Sequence, residues 1–281
     1  MGRSLAANEG TIAGPRRLFG IDFSGAAHAG KKIWITRALI EGDALRVETC
    51  HQATELPNSG LDQNQCMAAL RDFIGGRQDG IFGLDFPFGL PQAMVKESAW
   101  KDFVVSFPDL YDGPGAFREV CRTAAYGSEL KRVTDRESRT PFSPYNIRLY
   151  RQTYYGIRDL LAPLVRDGAA CVLPMQAPLP GRAWLVEICP ASTLKREGLK
   201  GPYKGRSRAH YDARARILAE LERRGPIMVP DSLRPAILEN HAGDALDSVV
   251  AAWAVFRTLR SPGGFAGVSN GAYALEGYVY V

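Results

Sequence analysis

The sequence predicts an α/β fold built on a mixed sheet, and three observations carry that expectation. A short phrase occurs twice, FGIDFSG at residues 19–25 and FGLDFPFG at residues 82–89. Each is an apolar run that stops at an aspartate, Asp22 or Asp85, before turn residues, the pattern of a buried strand leaving its sheet. Up to the second phrase the order reads strand, strand, strand, helix, strand. Near the end, HAGDALDSVVAAWAVF opens on acids and then carries no charge from Ser248 to Phe256, as expected of a helix buried on most of its surface.

Taken in order, residues 18–22 form the first strand. KKIWITRALI, the turn Glu41-Gly42-Asp43 and ALRVETCHQA form a hairpin, so the first three strands make an antiparallel meander. Residues 61–75 place Met67, Leu70, Phe73 and Ile74 at helical spacing, and Gly75-Gly76 ends that helix. Residues 80–85 form the fourth strand. A long insertion follows at about 86–170. VKESAWKDFVVSF fits a helix, residues 111–147 read as a Gly-, Pro- and Arg-rich loop, and a helix is expected from about 147 to 166. CVLPMQAP and GRAWLVEICP then read as a hairpin turning at Leu179-Pro180-Gly181. A basic loop, a helix from about 210 to 224, one long helix over 234–259 and a strand in ALEGYVYV complete the chain.

Length and composition narrow the function classes. The 281 residues, 46% apolar, suit one elaborated domain at 18–281 behind a loose tail at 1–17. No run is apolar enough to span a membrane, and residues 1–17 lack the apolar core of a secretory signal. The five cysteines are scattered and odd in number, with no C-x-x-C pair, which argues against a disulfide framework or a zinc cluster and fits a reducing cytoplasm. A net charge of +5 is compatible with an anionic partner. Walker A and G-x-G-x-x-G motifs are absent.

The acids are the candidate chemistry. Ligands of open α/β sheets bind beyond the carboxyl ends of strands, where Asp22 and Asp85 stand. Asp244 and Asp247 are three apart on one helix face. Glu187 interrupts the apolar run of LVEICP. Each has a plain structural alternative. Aspartate favours turns, an early helical acid suits the helix dipole, and a strand glutamate can face water. Together, four segments that begin or end buried elements on an acid favour one shared site. Clustered carboxylates repel unless a cation joins them, and oxygen-only ligands suit Mg²⁺ or Mn²⁺. His241, a turn before Asp244, is an auxiliary candidate or a packing and capping residue.

The motifs GIDFSG, GLDFPFGLP, VEICPAS and HAGDALDS together resemble those of the ribonuclease H-like superfamily, and span residues 20–248. The closing helix is similar to that of Holliday-junction resolvases, and the chain as a whole resembles a widespread group of predicted ribonuclease H-like nucleases. The resemblance implies a mixed sheet of order 3-2-1-4-5 with strand 2 antiparallel, helices on both faces and an insertion after strand 4. It implies Asp22, Asp85, Asp244 and Asp247 as metal ligands, Glu187 as a further catalytic acid, and a two-metal hydrolysis of phosphodiester bonds. Resolvases carry Glu where Asp85 stands, and in the nuclease group the Glu187 position is followed by His-Pro where this chain has Ile188-Cys189-Pro190.

Residues 117–158 interleave arginines with Phe142, Tyr145, Tyr150, Tyr154 and Tyr155, a composition suited to phosphates and exposed bases and equally to a solvated loop before an amphipathic helix. Ser24, Arg132, Asn146, Arg148 and Arg151 are the candidate substrate contacts. The expected activity is therefore a Mg²⁺- or Mn²⁺-dependent nuclease acting on DNA or RNA. The alternatives are an actin-like nucleotide-binding phosphotransferase and a non-catalytic nucleic-acid-binding protein of the same fold.

Overall fold

The computed structural model describes residues 17–268 and 270–281; of the expected tail, only Arg17 falls within them. β1 (Arg17–Asp22), β2 (Trp34–Glu41) and β3 (Ala44–Gln52) form the expected antiparallel meander. α1 (Gln63–Gly75) starts where the Asp62 carboxylate accepts from the amides of Asn64 and Gln65 at 2.9 and 3.3 Å, satisfying two of the helix's orphan donors. β4 (Gly80–Leu84) then lies parallel to β1.

The helix expected in VKESAWKDFVVSF is present, and the stretch read as a loop, 111–147, contains two more. α2 (Trp100–Leu110) is followed by α3 (Pro114–Ala124) and the short α4 (Val133–Glu137). The expected helix over 147–166 is α5 (Tyr150–Tyr155), a π-helical stretch Gly156–Leu161 and α6 (Ala162–Arg166). Gly and Pro obscured α3, where Gly113-Pro114 mark the helix start rather than a loop.

β5 (Ala170–Leu173) and β6 (Ala183–Ile188) are parallel, not the expected hairpin. Residues 174–182 run back along the sheet, so that Ala170 stands opposite Ala183. Gln176 exchanges bonds with Val172 through side chain and backbone, at 2.9 and 2.8 Å, which occupies a polar edge a hairpin partner would otherwise use. Beyond β6 come α7 (Pro190–Arg196), α8 (Arg208–Arg224), and β7 (Ile227–Met228). The long helix expected over 234–259 is two helices, α9 (Arg234–Glu239) and α10 (Asp244–Arg260). Asn240 is extended and Gly243 is left-handed (φ +84°), a conformation that suits glycine. The tail is α11 (Tyr273–Glu276) and a two-residue β8 (Val279–Tyr280).

The sheet is mixed and eight-stranded, in the order β5-β6-β4-β1-β2-β3-β7, with β8 also on β6. The expected 3-2-1-4 run and the antiparallel β2 are present. The next position belongs to β6 rather than β5, and β7 extends the far edge. Helices cover both faces. Phe19, Ile21, Phe82 and Leu84 pack toward α1 and the insertion helices, while Leu18 and Ile81 join the core beneath α8 and α10, as strand alternation requires.

Candidate functional site

The repeated phrase places two acids side by side. Gly20 and Gly83 are register partners, and the Asp85 amide donates to the Ile21 carbonyl at 3.0 Å. Asp22 and Asp85 therefore leave neighbouring strands at one level. Each lies two residues beyond its glycine and so shares the glycine's face. That face carries α10 directly: a Cβ at Gly20 would stand 2.0 Å from the Ser248 carbonyl oxygen and 2.3 Å from the Ala252 nitrogen. A buried bond of 2.7 Å between Thr36 and Ser248 hydroxyls fixes the same helix to β2. The first turn of α10 thus brings Asp244 and Asp247 to the sheet end where Asp22 and Asp85 emerge.

These carboxylates perturb one another. Burial, then Asp247, Asp85 and Asp244, raise Asp22 well above the usual carboxylate range, against the opposing pull of Lys204. Asp85 is pushed up to about 8, by burial first and then by Asp247. Asp244 is also raised, mainly by burial. Among the described residues, no hydrogen-bond donor engages the side-chain oxygens of Asp22, Asp85 or Asp244.

Asp247 differs. It is 2% exposed, and both its oxygens are engaged: the Tyr203 hydroxyl donates to Oδ1 at 2.6 Å, and the Lys204 ammonium lies 2.6 Å from Oδ2. Burial alone would lower the Lys204 pKa, but Asp247 and Asp22 outweigh it and hold the ammonium charged. The Lys204 side chain is 52% exposed, so it reaches the acids from the open side of the site.

Glu187 lies near the end of β6, opposite Leu84 of β4, yet its carboxylate is committed elsewhere. Arg132 donates to its two oxygens at 2.5 and 2.8 Å, and the Phe88 amide adds a third bond at 2.8 Å. Arg132 is itself 1% exposed. Its Nε and one terminal nitrogen bond Asp135, at 3.0 and 2.8 Å, and the other terminal nitrogen also reaches the Glu276 carbonyl at 3.1 Å. All five guanidinium donors are used. Burial opposes the Arg132 charge, but Asp135 and Glu187 outweigh it and raise its pKa. Arg132 therefore has no donor left for a substrate phosphate, which corrects its expected role, and Glu187 serves as its counter-ion. The Glu276 carboxylate accepts from the amides of Gln92 and Val133 at 2.8 and 2.6 Å, closing a buried network that bolts α4 to β6 and α11.

The acids open into a cavity of about 620 Å³. Lys32, Arg148, Arg151 and Lys204 line it, with Phe142, Ile147 and Tyr150 among its apolar walls and Ser24 at its rim. The Gln152 side chain donates to the Phe23 carbonyl at 2.5 Å, which holds the start of α5 against the loop after β1. Asn146 does not line the cavity; its side chain bonds Glu129 and accepts from the Arg148 amide at 2.9 Å, ordering the turn before α5. His241 is exposed and outside the lining, and its carbonyl accepts from the Gly205 amide at 2.7 Å.

Tyr203, Lys204, Lys32 and Gln152 did not stand out in the sequence. The one signal for the first pair is an aromatic beside a lysine, flanked by Gly201-Pro202 and Gly205, inside an otherwise uniform basic loop.

The donor set suits a hard divalent ion in kind, because Asp22, Asp85 and Asp244 offer free carboxylate oxygens. In the arrangement described, no three His, Cys, Asp or Glu residues among the described residues are gathered tightly enough to hold an ion. No helix of the described residues is long and apolar enough to cross a membrane. Comparison with family models, with curated proteins and with solved structures finds no match to this chain.

Proposed function

We propose that this protein is a Mg²⁺- or Mn²⁺-dependent nuclease of ribonuclease H-like architecture. The observation that carries the reading is the level emergence of Asp22 and Asp85 from adjacent parallel strands, under a helix whose first turn adds Asp244. The 3-2-1-4 order with an antiparallel second strand supports the architecture. Asp22, Asp85 and Asp244 would hold the ion. When bound, it supplies Lewis-acid polarisation of a phosphoryl group and a stronger water nucleophile.

The chain's own residues do the rest. Arg148 and Arg151 line the same cavity as the acids, and their guanidinium groups can take backbone phosphates as charge-assisted donors. Phe142 and Tyr150 offer apolar surface beside them for a sugar or base. The buried Arg132–Glu187 pair keeps the wall that bears these groups in place.

The test is a panel of labelled DNA, RNA, hybrid and branched substrates with Mn²⁺. The expected result is hydrolysis that ceases with chelator and in Asp22→Asn and Asp85→Asn. Absence of cleavage across the panel, with Mn²⁺ shown to be bound, would refute the reading.

A further inference from the structure

We propose that the cavity takes single-stranded nucleic acid and excludes a continuous duplex, with the segment 142–151 stacking the unpaired bases. The inference rests on the nucleic-acid part of the reading above, needs no metal, and deepens that reading by naming the form of the strand.

Three observations carry it. The first is a fixed wall. A Cβ at Gly25 would stand 2.5 Å from both the carbonyl carbon and the carbonyl oxygen of Arg151, so the start of α5 lies backbone to backbone on the loop that follows Asp22. The Gln152 bond to the Phe23 carbonyl and the Thr153 hydroxyl bond to the Pro144 carbonyl, at 2.6 Å, brace the same segment. Asp22 thus opens, beside a wall that is held in place, into a cavity of about 620 Å³, a size typical of small-molecule sites. The second is apolar surface open to that cavity. Ile147 is 59% exposed, and Phe142 and Tyr150 line the cavity with it. A duplex keeps its base faces stacked inside and turns sugar and phosphate outward, which gives these side chains nothing to cover. A single strand offers its base faces, and every base has a π surface for an aromatic ring.

The third observation is unpaired charge. In the same insertion Arg132 and Arg158 are each bonded to an aspartate. Arg148 and Arg151, which line the cavity, meet no carboxylate among the described residues. The Arg148 guanidinium instead lies 5.4 Å from the centre of the Phe142 ring, and the Arg151 Nε donates to the Tyr150 hydroxyl at 3.1 Å. Cations and rings are therefore interleaved along one wall, the combination that holds a single strand by its phosphates and its bases together. The arginines suit any polyanion, and the rings are what select the single strand.

The experiment is fluorescence anisotropy of labelled oligonucleotides with the full chain in chelator, so that neither cleavage nor a metal enters the readout. Single-stranded DNA, single-stranded RNA and a blunt DNA duplex of one sequence are compared, with polyglutamate as a competitor. Wild type, Phe142→Ala and Phe142→Leu are used, and cooperative melting confirms that each is folded. In wild type at least one single strand is expected to bind about tenfold or more tightly than the duplex, and Phe142→Ala to lose about 5- to 150-fold in single-strand affinity, the worth of one stacked base. Phe142→Leu should show the same selective loss, smaller in size, and duplex affinity should be unchanged in both. A duplex bound as tightly as either single strand would overturn the proposal and leave nucleic-acid binding standing. So would unchanged single-strand affinity in the folded Phe142 variants, or equal losses on single strand and duplex. Polyglutamate that displaces the labelled strand as well as an unlabelled strand does would reduce the wall to a plain cationic face and overturn the proposal too. No binding of any oligonucleotide would overturn it together with the nucleic-acid reading.

Discussion

Gly20 stands opposite Gly83 across two parallel strands, and each is followed two residues later by an aspartate. The pair is one device: the glycines admit a helix backbone against the sheet, and the acids emerge beside that helix's first turn. A side chain at Gly20 meets backbone, which cannot rotate away. Gly20→Ala is expected to cost about 1–3 kcal/mol or more by overpacking. It should also weaken Mn²⁺ binding, because Asp244 rides on the displaced helix. Urea midpoints and a Mn²⁺ titration check both; unchanged stability would mean that α10 does not sit on β1 as described.

Stability in chelator should fall as pH rises from about 4 to about 8. Asp85 is raised from an unfolded value of 3.8 to about 8, and Asp22 is raised in the same direction. Between those limits the native state holds protons that the unfolded chain has lost, so the slope of unfolding free energy against pH is negative there. The contribution is fully present below about pH 4 and is lost as pH passes about 8. Asp85→Asn should flatten the slope and raise the melting temperature at pH 8 by about 2–4 °C, as ~1 kcal/mol does in a domain of this size. A melting temperature that climbs over this range in wild type would contradict the arrangement.

Arg132→Met should destabilise by about 3–5 kcal/mol, because it leaves Glu187 and Asp135 buried without their counter-ion. Glu187→Gln should be milder and should keep Mn²⁺ binding, since the glutamate is a counter-ion. Loss of Mn²⁺ by a folded Glu187→Gln protein would return Glu187 to the ligand set.

Arg148→Ala and Arg151→Ala should each weaken nucleic-acid binding and reduce the slope of log affinity against log salt by about 0.7–0.9 for every phosphate no longer neutralised. Asn146→Ala should leave that slope unchanged, because its side chain serves the turn. Equal slopes in all variants would make the arginine wall a solvated face.

The first acid pair was legible in the sequence because strand alternation and a repeated phrase fix both its level and its face. The glycines of that phrase were not, because their meaning lies in a helix more than 160 residues away in the case of Gly83 and more than 220 in the case of Gly20. The break before Asp244 falls in Asn240-His241-Ala242-Gly243, where Asn240 is extended and Gly243 is left-handed, and two helical patterns lie so close on either side that they read as one. The partners of Arg132 and Lys204 were hidden for a related reason. Sequence shows a charge but not its partners, so a buried arginine whose donors are all taken looks like its exposed fellows, and one clamped lysine looks like the rest of its loop. The parallel pairing of β5 and β6 escaped because residues 174–182, with their Leu-Pro-Gly, suit a hairpin equally well.

The Glu276 carbonyl and carboxylate complete the cage around Arg132, and β8 docks on β6 beside Glu187. These bonds come from residues that follow all four aspartates in the chain. The surroundings of the buried Arg132–Glu187 pair therefore depend on residues that lie outside the strands and the helix carrying the aspartates.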